Sequence, residues 1–237
     1  MAKRSISSGP KLKYMLDQDF EDEAALLLAE YGRKHAQILA PPVPIDEIVE
    51  LYLELQLEFL DMRQLFGVDD VHGALWVNER RIGIDQRLDP AENPAKLGRY
   101  HFTLAHEAGH WRLHRQLFLK RANQPSLLPE STTRPEYICR SSDNEPIEYQ
   151  ANRFASCLMM PKEILKRSWH EWRDGMRPFY LTELRADGPT SWTDNQLFES
   201  AVRPLAEIFQ VSAEAMRIRA EGMKLLLKKR ERGLFDE

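Results

Sequence analysis

Hydrophobic positions along the chain switch between two periods. Apolar residues at helical spacing mark residues 17–35 (Phe20, Ala24, Leu27, Leu28, Tyr31), 97–117, 146–160, a stretch through Ile164, Leu165, Trp169 and Trp172, and two segments between 195 and 227. Strict alternation appears in one part of the chain. Leu55, Leu57 and Phe59 alternate with polar residues, and residues 73–77 and 81–85 flank Asn78-Glu79-Arg80 as a hairpin would. Pro41, Pro42 and Pro44 break the chain, and a short helix restarts over residues 45–53 with Asp46 and Glu47 in its first turn. The pattern predicts an α+β fold in which a three-stranded antiparallel sheet precedes and packs on the 97–117 helix. Helical additions lie at both ends: residues 1–40 form a polar tail and helix, 41–173 the central domain, and 174–237 a helical C-terminal region.

The 97–117 helix carries His106-Glu107-Ala108-Gly109-His110. Residues four apart share one helix face, so both imidazoles can point at one ion. Glu107 is placed to reach a water on that ion without ligating it. In H-E-x-x-H zinc sites this glutamate is the general base. Gly109 inside the helix costs about 1 kcal/mol relative to alanine, a cost that makes sense if another element approaches there.

A catalytic zinc needs a third protein ligand. On an α-helix His114 lies about 12 Å along the axis from His106, too far to share one ion. The better candidate is Glu148, in a helix that Asp143 or Asn144 can cap, that has Pro146 in its first turn, and that Pro161 stops. Ala151 and Ala155 lie on the glutamate's face and permit close packing. Asn152, one turn on, can accept the second ring N–H of a ligating histidine. Glu145 is the rival ligand but has no small-residue face behind it. For oxyanion stabilisation four residues qualify: His101, Tyr149, Arg153 and His170. Two histidines and a carboxylate suit zinc, and manganese as well.

Three pieces of the chain resemble the ImmA/IrrE family of bacterial metallopeptidases. They are residues 102–114 around the H-E-x-x-H motif, residues 148–161 with Glu148-x-x-Ala151-Asn152, and residues 205–219. The resemblance implies a zincin-like domain, with His106, His110 and Glu148 as zinc ligands and Glu107 as base. It also implies a bacterial cytoplasmic setting and a protein substrate, an XRE-type helix-turn-helix repressor whose loss derepresses genes.

Composition narrows the alternatives. A net charge of −4 gives no footprint for bulk nucleic-acid or membrane binding. No 18-residue apolar run exists, and the first residues lack the apolar core of a secretory signal. Cys139 and Cys157 suit a reducing compartment, with Cys157 as core filler. An edge strand beside the metal helix could bind an extended peptide by strand addition. Residues 120–144, rich in Pro, Ser and Thr, read as a long loop that rims the cleft, and residues 175–195 read as irregular. The helices flanking residues 210–212 have helix-turn-helix spacing, with Arg217, Arg219 and Lys224 adding positive charge. Glu207, Glu214 and Glu221 interrupt that face and favour a packing or docking hairpin over DNA reading. Two rivals to the enzyme follow: a regulator that grips a repressor without cutting it, and a DNA-binding regulator.

Overall fold

The computed structural model of the protein describes residues 12–122, 137–140 and 145–229. Its first helix, α1 (Asp17–Lys34), buries Phe20, Ala24, Leu27 and Tyr31, the stripe that helical spacing selects. It lies against α6 (Pro146–Met159). A short helix, α2 (Ile45–Glu47), runs on as a π-helical turn over Ile48–Tyr52.

Four strands follow the expected alternation but not the expected pairing. β1 (Gln56–Leu60), β2 (Val71–Trp76), β3 (Arg81–Asp85) and β4 (Tyr137–Arg140) form one sheet in the order β1-β3-β2-β4. β2 and β3 make the antiparallel hairpin, whereas β1 runs parallel to β3. The sheet is therefore mixed and four-stranded, not three-stranded and antiparallel. A short helix, α3 (Met62–Phe66), carries the chain from β1 past the central position, which leaves room for β3, the strand that buries Ile82 and Ile84. β1 keeps Gln56 and Glu58 exposed and takes the edge, where polar side chains are tolerated. β4 comes from the stretch read as a loop. Residues 120–122 of that stretch are helical, and residues 123–136 and 141–144, with the expected caps Asp143 and Asn144, lie outside the described residues.

The pairing of β2 with β4 shifts register between Val71 and Gly73, leaving His72 at the irregularity. The extra residue alters the alternation. Val71 packs with Met62, Ala74 and Trp76, while Leu75 joins the main core.

Against this sheet lies α4 (Leu97–Gly109), which buries Leu104, Ala105 and Ala108. The same rod continues through a π-helical turn, His110–His114, into α5 (Arg115–Ala122). α6 crosses α4 at Gly109, where a β-carbon would sit 3.1 Å from Cδ1 of Phe154 and 3.3 Å from the Ala151 carbonyl. The glycine and the small face of α6 together allow that approach. α7 (Lys162–Arg173) follows Pro161 and buries Ile164, Leu165 and Trp169.

The region read as irregular contains β5 (Phe179–Tyr180) and α8 (Leu181–Asp187). β5 pairs in parallel with β6 (Leu226–Leu227). Between them run α9 (Asp194–Phe209), capped by Thr193, and α10 (Ala213–Gly222), capped by Ser212. Arg219 of α10 is buried, donating to Glu21 of α1 at 2.6 and 2.9 Å and to the Met160 carbonyl at 3.1 and 2.9 Å. Arg217 is also buried, paired with Glu199 and Glu221 at 3.0 Å each. Two of the cations that gave α10 a basic face thus hold it to its neighbours. Among the described residues, no helix is long and apolar enough to cross a membrane.

Candidate metal centre

α4 and α6 meet through small residues, and that closeness sets the spacing of their polar side chains. His106 and His110, one turn apart, bring their Nε2 atoms to 2.9 Å of each other. From α6, Glu148 places Oε2 3.2 Å from His106 Nε2 and Oε1 3.0 Å from His110 Nε2. One ligand atom from each of the three residues lies within 4.8 Å of the others. An ion with bonds of about 2.0–2.2 Å can bridge such a set. All three side chains are buried.

Burial and close contact also act on the charge of His110 and Glu148. Burial pushes the His110 imidazole down to about 3, so the ring is neutral near pH 7. Burial acts upward on Glu148, but its close contacts with His106 and His110 outweigh it and hold the carboxyl below its ordinary range. A neutral His110 imidazole beside an ionised carboxylate presents donor forms that a divalent cation requires.

Glu107 points the other way around the helix, toward β2. Neither of its buried oxygens has a hydrogen-bond partner among the described residues. Burial pushes its carboxyl up to about 8, with His106 opposing and the Glu148 charge adding. Gly73 makes room for it, since a β-carbon there would stand 2.4 Å from Glu107 Oε1. A buried, unpartnered carboxylate beside a candidate cation site is costly unless water or a reacting group satisfies it. The residues present therefore fit a divalent metal ion with a buried carboxyl beside it.

The remaining candidates separate clearly. Asn152 Oδ1 lies 2.9 Å from His106 Nδ1, the contact expected of it. Glu145 is the exposed residue preceding α6, on the cleft wall and apart from the three clustered donors. Tyr149 and Arg153 also line the cleft, and Arg153 donates to Asp17 at 2.9 Å. His101 does not. It is buried, 3.4 Å from the Gln210 carbonyl and 3.6 Å from Asp46. His170 is exposed on α7, outside the cleft lining. The cleft, of about 830 Å³, is also lined by His72 and Arg99, which sequence reasoning passed over. The only signal for His72 was its place before Gly73, where the β2 register shifts.

The strand beside Glu107 has β3 on one side and β4 on the other through Gly73, Ala74 and Leu75. It is not an edge, so strand addition there is closed, and the outer edge on this side belongs to β4.

Comparison with known families gives one match. The family described as IrrE N-terminal-like domain, Peptidase_M78, covers residues 60–221. The chain belongs to this metallopeptidase family. The matched region of the IrrE-like chain takes in the sheet from Leu60 onward, both metal-centre helices and the α9–α10 hairpin, but not α1. No curated protein matches the chain.

Proposed function

We propose that this IrrE-like protein is a zinc-dependent endopeptidase that hydrolyses a peptide bond in a protein substrate. The observation that carries the reading is the Glu107 carboxylate, buried without a partner among the described residues beside three converging candidate metal-donor side chains. A bound divalent cation would supply Lewis-acid polarisation of the scissile carbonyl and lower the pKa of water. His106, His110 and Glu148 would hold it.

The chain's own residues do the rest. Glu107 accepts a proton from the attacking water on one carboxylate oxygen and returns it to the leaving amine nitrogen as the C–N bond breaks. Asn152 accepts from His106 Nδ1–H and keeps Nε2 turned inward. The cleft is wide enough for a peptide segment and has an apolar wall at Phe102, Ala215 and Ile218. Manganese fits the same donors.

The substrate we infer, from the family resemblance, is an XRE-type helix-turn-helix repressor in a bacterial cytoplasm, so that cleavage derepresses genes. Burial of Arg217 and Arg219 in ion pairs speaks against α10 as a DNA-reading helix. The test is Glu107→Gln in the zinc-loaded protein, incubated with a repressor encoded nearby and followed by mass spectrometry. We expect specific fragments from the wild type and a loss of roughly 10²- to 10⁴-fold in the variant at unchanged zinc content. Equal cleavage by both would remove Glu107 from the mechanism. Repressor inactivation without fragments from either would favour a protein that grips and does not cut.

A further inference from the structure

The outer contact of a ligating histidine decides which ring nitrogen is free, and here the two histidines are served differently. His106 leans on Asn152, an exposed side chain. His110 leads into a buried string. Its Nδ1 is 3.0 Å from Nδ1 of His114, and His114 Nε2 is 2.9 Å from Oε1 of Gln150. The Gln150 amide nitrogen donates to the Lys13 main-chain carbonyl at 2.7 Å. His114 and Gln150 are both buried.

The protons in this string follow from its far end. A carbonyl oxygen only accepts, so the Gln150 group facing Lys13 is the NH₂ and the one facing His114 is the oxygen. An amide oxygen also only accepts, so His114 Nε2 carries a proton. A neutral imidazole has one N–H, which leaves His114 Nδ1 bare to accept from His110 Nδ1–H. His110 Nε2 then keeps its lone pair, 3.0 Å from Glu148 Oε1. We propose that His114 and Gln150 are positioning residues that fix His110 in the Nδ1–H tautomer, anchored by the Lys13 carbonyl in the segment before α1.

The inference rests on the metal-centre reading and extends it beyond the motif. His110 and His114 are the first and last residues of the π-helical turn, so the helix irregularity and the histidine pair coincide. The string also makes main chain N-terminal to the family-matched region part of the centre's support.

The test uses the full chain with ¹⁵N-labelled histidine. Long-range ¹H–¹⁵N spectra of the Zn²⁺-loaded protein read each ring's tautomer, and competition with a chelating dye reads Zn²⁺ affinity. We expect His114 as the Nε2–H tautomer. His114→Phe keeps a ring but accepts nothing, and should weaken Zn²⁺ binding roughly 10- to 100-fold. His114→Gln both accepts and donates, and should recover most of that loss. Gln150→Met does neither, and should give mixed His114 tautomers with a smaller loss; it decides the matter if His114→Phe does not fold. A wild-type His114 protonated at Nδ1, a His114→Phe protein that binds Zn²⁺ as tightly as wild type, or a Gln150→Met protein with an unmixed Nε2–H His114 would overturn the relay and leave the metal centre standing. Wild-type protein that takes up no Zn²⁺ would overturn both.

Discussion

Gly73 of β2 faces the Glu107 carboxylate so closely that a β-carbon would lie 2.4 Å from Oε1 and 3.0 Å from Thr103 Cγ2. The strand thus sets where the carboxylate rests, and the missing side chain is part of the site. Gly73→Ala must push Glu107 aside. A displacement near 1 Å at a reacting group costs on the order of 10²-fold in rate, so cleavage should fall by about that factor while Zn²⁺ affinity stays near wild type. A variant cleaving at the wild-type rate would show that Glu107 has slack the geometry does not suggest.

Glu148 reaches both histidines from the second helix, at 3.0 and 3.2 Å. Glu148→Ala should lower metal affinity by more than the roughly 10- to 100-fold typical of outer-shell changes, and Glu145→Ala should not. Elemental analysis of the purified proteins checks this: one ion per chain in the wild type and in Glu145→Ala, none retained in Glu148→Ala. An ion that follows Glu145 instead would reassign the third ligand.

Asp85 at the end of β3 gives a stability that depends on pH. Burial raises its carboxyl, but hydrogen bonds from the Arg87 side chain and backbone outweigh this and bring it below the ordinary value. A carboxylate with a folded pKa below its unfolded one stabilises the protein above the unfolded value, about 3.9, and loses that effect as pH falls through the folded one. The Asp85→Asn variant should be less stable than wild type by about 1.5–3 kcal/mol at neutral pH, the scale of hydrogen bonds to a charged group. The gap should narrow below about pH 4. Urea unfolding at several pH values measures it, and a gap independent of pH would rule out the charge as its source.

Arg219 joins three elements: α10 through its backbone, α1 through Glu21 and the end of α6 through the Met160 carbonyl. Arg219→Met removes the cation and leaves Glu21 and that carbonyl without their donor. Breaking a buried pair from one side costs about 3–5 kcal/mol, and thermal unfolding should show a loss of that order. A loss under about 1 kcal/mol would mean that Glu21 relaxes to solvent.

The candidate site was legible because it is local. His106, Glu107 and His110 lie within one turn of one helix, and 3.6-residue periodicity is enough to gather them on neighbouring faces. The glutamate helix declared itself by Pro146, Pro161 and the small residues Ala151 and Ala155, whose only evident use is close packing. Asn152 followed from the same period. Helix α1 and the hairpin of β2 and β3 were readable for the same reason, since each is specified by its own residues and turn.

Pairing between distant segments was not readable. Alternation in residues 55–60 declares a strand but does not say which neighbour it takes, and β1 chose β3 in parallel. β4 was hidden because residues 137–140 are too few to show a period. Of the four oxyanion candidates, Tyr149 and Arg153 line the cleft and His101 and His170 do not; nothing local distinguishes His101, which the fold buries against the Gln210 carbonyl, from His72, which lines the cleft.

The sequence by itself pointed to His106, His110 and Glu148 as candidate donors and to the two helices that carry them, because side chains a turn apart on a helix have no choice of company. Only the tertiary structure decided that Gly73 must be empty for Glu107, that α6 meets α4 at Gly109, and that the string from His110 ends on the Lys13 carbonyl. Those relations join residues far apart in the chain, and their geometry is set by how closely whole elements pack, which no local period encodes.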